Sequence, residues 1–197
     1  MQTRRWPVAR VPYLSRSDAR PDTERVWERV EAERKMPTAN LFLALANAPE
    51  LLDAFLSYAN ALRGASLDPK LRELAILTVG YATHSEYEIA HHQSHATKAG
   101  ATPEQLAQIE DFESSDEFTD GERAIMRLAW ESTTKVDVED ELWADAARYL
   151  SDRELVELAL TIGWYNSGAR IMALLGIELE ASYVTEGTAR ATGGSSA

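Results

Sequence analysis

Three of the four histidines of this chain fall within one short stretch, and a glutamate precedes them. They are His91, His92 and His95, with Glu88 four residues ahead of His92. Residues four apart share a face of an α-helix, so Glu88 is expected to stack on His92, and His91 on His95. A carboxylate beside an imidazole raises the imidazole pKa and fixes its orientation. The pattern predicts a side chain that transfers protons as a general acid or base.

A second carboxylate lies in the most apolar helix that the sequence predicts. Glu73 has leucine, alanine and isoleucine neighbours along the chain. An unpaired buried charge is costly, so Glu73 either faces solvent or is buried with a partner. His92 is the expected partner, because a short connection allows the two helices to lie antiparallel. We therefore predict that His92, Glu73 and Glu88 form one catalytic cluster.

Aromatic and imidazole side chains near this cluster are candidates for contacts with a substrate. They are Tyr81, Tyr87, His91 and Tyr165. If they face His92, they line a pocket for a small molecule. The alternative is that the aromatic residues belong to the core, as such residues at helical spacing commonly do.

Blander interpretations of the charged residues remain open from spacing alone. Glu88 follows Ser85 by three residues, which suits a capping box. Glu73 could pair with a basic side chain at the surface. His95 could be a surface histidine exposed to solvent. His91 and His95 have the spacing of half a zinc site, but no third ligand stands out. We therefore predict no metal.

Helices must position these side chains. Apolar residues recur at helical spacing, strand-like alternation is missing, and capping residues such as Asp68, Ser85 and Ser151 mark helix starts. We predict an all-α fold with about eight helices. The predicted helices cover residues 23–35, 49–63, 69–83, 85–99, 138–150, 151–165 and 169–177, with others opening at Thr102 and Thr119.

The two ends of the chain differ from its middle. Three prolines interrupt residues 1–20, which we interpret as an extended arm. Trp6, Val8, Val11 and Leu14 of this arm are expected to lie against the body or a neighbouring subunit. Residues 187–197 are small and polar, and we expect a flexible tail there. One helical domain, residues 21–186, lies between the two.

A weak internal echo suggests two related halves. Residues 72–74 and 153–155 both read Arg-Glu-Leu, and residues 78–81 resemble residues 161–164, although the two registers differ by two residues. If the echo is real, each half contributes one buried helix to a pseudo-symmetric pair. The histidine cluster is present only in the first half.

Composition excludes several classes of function. The 197 residues include 20 basic and 32 acidic ones, a formal net charge of −12, which disfavours binding to nucleic acid. Cysteine is absent, so disulfides, thiolate metal sites and thiol nucleophiles are excluded. That absence agrees with a cytoplasmic setting. We also predict no membrane-spanning segment, since the apolar runs are short.

Placed together, these motifs resemble the carboxymuconolactone decarboxylase family, which shares its fold with alkyl hydroperoxidase D. The resemblance covers roughly Val11 to Leu179. It implies an alkyl hydroperoxidase D-like helical domain. The matching residues are Leu71-Arg72-Glu73-Leu74, Tyr87-Glu88, His92, Ala96 and Gly100, with Asn40-Leu41-Phe42, Pro49-Glu50-Leu51-Leu52, residues 118–123, Trp143 and residues 163–166 outside this centre.

One departure from the family pattern narrows the chemistry. Peroxidase members carry a Cys-x-x-Cys pair just before the matching histidine, and the corresponding positions here hold Ser85 and Glu88. Serine and glutamate form neither a sulfenic acid nor a disulfide, so thiol peroxidase chemistry is excluded. The resemblance then implies a decarboxylase that releases carbon dioxide from a carboxylated unsaturated lactone and protonates the resulting dienolate. It implies no cofactor.

The resemblance implies roles for the cluster and leaves alternatives. His92 would carry the proton, Glu73 would orient it, Glu88 would be a second acid or base and Tyr87 a hydrogen-bond donor. Arg72 is expected on another face of its helix. The alternatives are a related isomerase or hydratase and a non-catalytic ligand-binding relative. We expect the substrate to be a small molecule. We also expect the chain to form a homo-oligomer, because of the apolar stripes on its helices and the family resemblance.

Overall fold

The computed structural model describes residues 9–21, 23–34 and 36–183, and this part of the chain is helical without any strand. The predicted all-α fold is therefore confirmed. Within these described residues, one 3₁₀ helix, Arg16–Asp18, precedes nine α-helices. They are α1 (Glu24–Glu33), α2 (Asn40–Leu45), α3 (Pro49–Arg63), α4 (Pro69–Ala82), α5 (Glu86–Lys98), α6 (Pro103–Ala107), α7 (Asp120–Lys135), α8 (Asp140–Ala146) and α9 (Asp152–Leu175).

Helix starts follow the capping signals of the sequence. The side chain of Asp68 accepts hydrogen bonds from the backbone N–H groups of Lys70 and Leu71 at the start of α4. Thr102 and Thr119 form complete capping boxes at the starts of α6 and α7. These local contacts satisfy backbone donors that have no partner inside the helix.

Three helices differ from the prediction. The two helices predicted over 151–165 and 169–177 are one continuous helix, α9. The amide of Asn166 donates to the hydroxyl of Thr133 at 2.8 Å and to the carbonyl oxygen of Ile162 at 3.1 Å, so it does not interrupt the helix. The six-residue helix α2 was not predicted, and α8 is shorter than the predicted 138–150.

The chain divides into two compact units. The first comprises the described residues up to Ala61 and those from Ile171 onward. Its core is built around Val26, Trp27, Val30, Leu52 and Leu56, and Leu14 packs against that core. Leu14 also donates its backbone N–H to the carbonyl oxygen of Leu43 at 3.0 Å.

The N-terminal arm thus makes part of the contact predicted for it, through Leu14. Trp6 and Val8 lie outside the described residues, as does the predicted tail over 187–197.

The second unit, Leu62–Arg170, has α4 at its centre. Leu74 and Leu77 of this helix belong to one buried cluster, and Ala75 and Val79 to another. Apolar side chains on opposite faces explain why α4 is apolar nearly all round. Such a helix offers a polar side chain a site shielded from water.

None of the described helices is both long enough and apolar enough to cross a membrane.

Candidate functional site

Helices α4 and α5 carry the predicted cluster and approach each other closely at Gly80. A Cβ atom on Gly80 would lie 3.1 Å from Cγ1 of Ile89 and 3.5 Å from Cβ of Glu88. The missing side chain therefore lets the two helices touch. Glu73, near the start of α4, meets His92, in the middle of α5. Gly80, near the end of α4, lies beside Glu88 and Ile89 near the start of α5, so the helices run antiparallel as predicted.

The contact between Glu73 and His92 is short and largely shielded from water. Nδ1 of His92 donates to Oε2 of Glu73 at 2.7 Å. The side chains keep 9% exposure for Glu73 and 15% for His92. Glu73 is thus buried with the partner expected from the sequence, and the surface pairing considered for it is not what the structure has.

Glu88 faces the other nitrogen of the same imidazole. Its Oε2 lies 3.6 Å from Nε2 of His92, which is longer than a hydrogen bond. The hydroxyl of Ser85 accepts the backbone N–H of Glu88 at 3.4 Å, so Ser85 caps α5. The capping box considered for Glu88 is not formed, because its carboxyl group is turned toward His92 and not toward the backbone N–H of Ser85.

Arg72 also reaches the cluster, which the sequence did not indicate. Its Nε lies 3.7 Å from Oε1 of Glu73, although adjacent residues point to different sides of a helix. The long side chain of arginine allows its charged end to turn back over the neighbouring residue. One oxygen of Glu73 therefore faces a guanidinium group while the other binds His92.

Two of the four predicted binding residues, Tyr87 and Tyr165, lie against a histidine ring, and a third, His91, provides one of those rings. The ring of Tyr165 meets the ring of His92 edge-on, with centroids 4.9 Å apart and an interplanar angle of 87°. Tyr87 stacks on His91, with centroids 4.3 Å apart. Tyr165 reaches the cluster from α9, so this helix forms a wall of the site.

The remaining predicted residues are placed differently. Tyr81 packs against the cluster that contains Leu74 and Leu77 and makes a side-chain hydrogen bond with Gln93. The ring of His95 lies 5.4 Å from that of His92, centroid to centroid. Among the described residues, no group of three or more potential ligands is arranged to hold a metal ion.

The electrostatics favour an ion pair between His92 and Glu73. Burial opposes the charge of His92, but the hydrogen bond and charge of Glu73, with the charge of Glu88, outweigh it and raise the pKa of His92. Burial likewise opposes ionisation of Glu73, but His92, His95 and Arg72 outweigh it and lower the pKa of Glu73. Each partner therefore stabilises the charged form of the other.

Glu88 and Tyr165 shift toward their neutral forms. Burial raises the pKa of Glu88 against the opposing charges of His92 and His91. Burial also raises the pKa of Tyr165, and the charges of Glu88 and Glu73 add to this effect. The arrangement can therefore offer an imidazolium, a neutral carboxylic acid and a phenol hydroxyl as proton or hydrogen-bond donors.

Glu154 is the residue that corresponds to Glu73 in the internal echo, and it does not belong to a similar cluster among the described residues. Glu154 accepts the backbone N–H of Ser151 at 2.9 Å and its hydroxyl at 2.7 Å, so Glu154 is the partner of Ser151 in the capping box that begins α9. The same three letters, Arg-Glu-Leu, thus hold a buried acid in α4 and a capping acid in α9.

Comparison with known proteins supports the resemblance stated from the motifs. Residues 49–131 match the model of the carboxymuconolactone decarboxylase family. This range includes Glu73, Glu88 and His92. Among curated proteins there is no match.

Solved structures share the fold over most of the chain. A cysteine-to-alanine variant of the debrominase Bmp8 in complex with 2,3,4-tribromopyrrole is 23% identical with a TM-score of 0.75, covering 91% of this chain and 96% of its own. An uncharacterized peroxidase-related protein with an alkylhydroperoxidase AhpD core, from Ralstonia eutropha JMP134, is 18% identical with a TM-score of 0.75, covering 90% and 95%.

A third structure, an uncharacterized peroxidase-related protein from Silicibacter sp. TM1040, is 17% identical with a TM-score of 0.76, covering 93% of this chain and 97% of its own. The predicted alkyl hydroperoxidase D-like fold is thereby confirmed. At these identities the likeness concerns the fold alone.

Proposed function

We propose that the protein is a cofactor-free lyase acting on a small carboxylated lactone or ring compound, in line with the match of residues 49–131 to the model of the carboxymuconolactone decarboxylase family. The observation that carries the proposal is the buried hydrogen bond of 2.7 Å between Glu73 and His92. An imidazole held in this way keeps a proton available in a shielded site.

The proposed reaction needs one proton and releases carbon dioxide. The bond between the ring carbon and the carboxylate breaks, and its electron pair moves into the unsaturated lactone to give a dienolate. Nε2 of His92 then donates its proton to a carbon atom of the dienolate. The positive charge of His92 also stabilises the negative charge that develops on the ring before the proton moves.

The two glutamates have different tasks in this proposal. Glu73 fixes the ring of His92 through Nδ1 and keeps the imidazole charged. Burial raises the pKa of Glu88, so its carboxyl group beside Nε2 binds a proton more readily than a free glutamate does and returns one to His92 after each turnover. Protons from solvent restore Glu88 in turn.

Aromatic side chains supply the remaining contacts of the proposed site. Tyr165 faces His92, and Tyr87 stacks on His91. We propose Tyr165, Tyr87 and His91 as the substrate contacts. Tyr81, which is partly buried and packs against a core cluster, is proposed to contact substrate only through its hydroxyl end. Chemistry that needs a thiol is outside the proposal, because the chain contains no cysteine.

The test is turnover of candidate carboxylated lactones by the wild type and by His92→Ala. We expect carbon dioxide release from the wild type and a loss of at least about 100-fold in His92→Ala, since general acid catalysis contributes at least that much. Circular dichroism checks that the variant is folded.

His84→Asn is the matched control. His84 is exposed and has a φ of 53°, a conformation that asparagine tolerates well. We expect wild-type turnover from this variant. Ligand binding without turnover in the wild type would contradict the lyase and identify a binding protein, and conversion without carbon dioxide release would identify an isomerase or hydratase.

A further inference from the structure

Helix α9 contains two glycines in its interior, where glycine is destabilising and therefore calls for a reason. Gly163 is exposed, and a Cβ atom built on it would meet nothing within 4 Å. Gly168 is buried, and a Cβ atom there would lie 3.1 Å from Oε1 of Glu88. Only the second position places its missing side chain against the candidate site.

Glu88 is in fact enclosed by two glycines from two helices. Gly80 of α4 lies beside its Cβ atom, and Gly168 of α9 lies beside its carboxyl oxygen Oε1. The other oxygen, Oε2, stands 3.6 Å from Nε2 of His92. The carboxyl group thus occupies space that a side chain on α9 would fill, and its distance from His92 depends on that space.

We propose that Gly168 is a positioning residue: its missing side chain gives the carboxyl group of Glu88 room to stand back from Nε2 of His92. At 3.6 Å the two groups are close but not directly hydrogen-bonded. Nε2 of His92 therefore keeps its N–H for a substrate. The proposal rests on the proposed function in taking Nε2 as the proton donor.

A methyl group on Gly168 would push the carboxyl group toward His92. The contact of 3.1 Å is tighter than ordinary van der Waals contact, and the atom that must move is the end of a flexible side chain. Helix α9 can therefore accept alanine without unfolding. Because Oε1 faces Gly168 and Oε2 faces Nε2 of His92, we expect pressure on Oε1 to bring Oε2 closer to Nε2.

The charged and titratable groups that act on His92 come from several elements. Glu73 lies on α4, Glu88 and His95 on α5, Tyr165 on α9, and Arg63 ends α3. A change at Gly168 alters the position of Glu88 alone among them. The readout is therefore the pKa of His92 measured by NMR titration of its imidazole nitrogens, with the signal assigned from His92→Gln.

We expect Gly168→Ala to raise the pKa of His92 by about half a pH unit or more, because the charge of ionised Glu88, which already favours the imidazolium, comes closer to it. Gly163→Ala, the same change on the same helix with open space around it, is expected to leave that pKa unchanged. In a Glu88→Ala background, Gly168→Ala is also expected to have no effect, as a double-mutant cycle requires.

A shorter acid provides a second route to the same answer. In Glu88→Asp the carboxyl group is drawn back from α9, so adding Gly168→Ala should leave the pKa of His92 where Glu88→Asp alone puts it. An unchanged or lowered pKa in Gly168→Ala would overturn the proposal. So would an equal rise in Gly163→Ala, or a rise that persists without Glu88.

This titration does not depend on turnover. If no lactone is converted by the wild type, the proposed lyase fails while the positioning of Glu88 is still decided by NMR. If turnover is found but the pKa of His92 is indifferent to Gly168→Ala, the positioning role fails and the lyase stands.

Discussion

At the scale of single residues, the central feature is an imidazole with a carboxyl group at each nitrogen. Glu73 binds Nδ1 of His92 directly, whereas Glu88 stands back from Nε2. Because the first contact is shorter, Glu73 dominates the charge on the ring, and its own pKa falls while that of Glu88 rises. Two glutamates on adjacent helices thereby have pKa values that their surroundings shift in opposite directions.

The ion pair makes stability depend on pH in a defined way. His92 has a pKa raised by folding, so its contribution is complete below its unfolded pKa of about 6.5 and is lost as pH rises through the folded value. Glu73 has a pKa lowered by folding, so its contribution is present above about pH 4.3 and is lost as pH falls through the folded value.

We therefore expect Glu73→Gln to lower the free energy of unfolding by about 1–3 kcal/mol near pH 6, the range for losing one partner of a buried hydrogen bond. This difference from the wild type should narrow as pH rises through the folded pKa of His92, because neutral imidazole no longer needs the carboxylate. Urea denaturation between pH 5 and 9, as proposed test conditions, measures both effects.

Glu154→Gln is the control for this experiment. Glu154 forms the capping box of α9 with Ser151 and has no histidine partner among its described hydrogen bonds. Its cost should stay constant over the same pH range, because the pKa of Glu154 is lowered by its bonds with Ser151. A cost of Glu73→Gln that is equally constant would contradict the ion pair.

At the scale of helices, α4 and α5 position the site, and the start of α4 depends on one side chain. Asp68 accepts from the N–H groups of Lys70 and Leu71 at 2.9 and 3.1 Å. Asp68→Ala removes both bonds and should cost about 1 kcal/mol, the usual loss of an N-cap. Asp68→Asn keeps an acceptor and should cost less than half of that.

Chemical denaturation of the two variants beside the wild type decides the point. Equal losses in Asp68→Ala and Asp68→Asn would mean that the charge of Asp68, and not the cap, stabilises the start of α4.

Helix starts could be predicted from sequence because a cap is decided within four residues, as at Asp68, Thr102 and Thr119. The continuity of α9 could not, because it depends on distant partners. Asn166 is occupied by Thr133 of α7, and Gly168 lies against Glu88 of α5. Read alone, residues of these types predict a break.

The candidate site shows the same division. The contact of Glu73 with His92 followed from spacing and from a short connection between two helices, both visible in the sequence. The reach of Arg72 back to Glu73 and the position of Tyr81 in a core cluster depend on rotamers and on the rotation of α4. Neither is encoded in spacing.

At the scale of the whole molecule, charge and apolar surface act against each other. The formal net charge of −12 makes two copies repel at low ionic strength. On α9, however, Val156 is 57% exposed and Leu160 45% exposed, one helical turn apart. Burial of such neighbouring apolar side chains against a second copy is what would overcome the repulsion.

We propose on this ground that the chain is a homo-oligomer and that the exposed face of α9 around Val156 and Leu160 takes part in the contact. Light scattering during size-exclusion chromatography should give a mass above 21.9 kDa, rising with salt because salt screens the repulsion. Leu160→Lys should shift the mass toward the monomer, while Thr134→Lys, at an exposed position of α7, should not. A monomeric wild type at high salt would contradict the proposal. The charge repulsion would then be screened, and the apolar contact would still be too weak to hold two copies together.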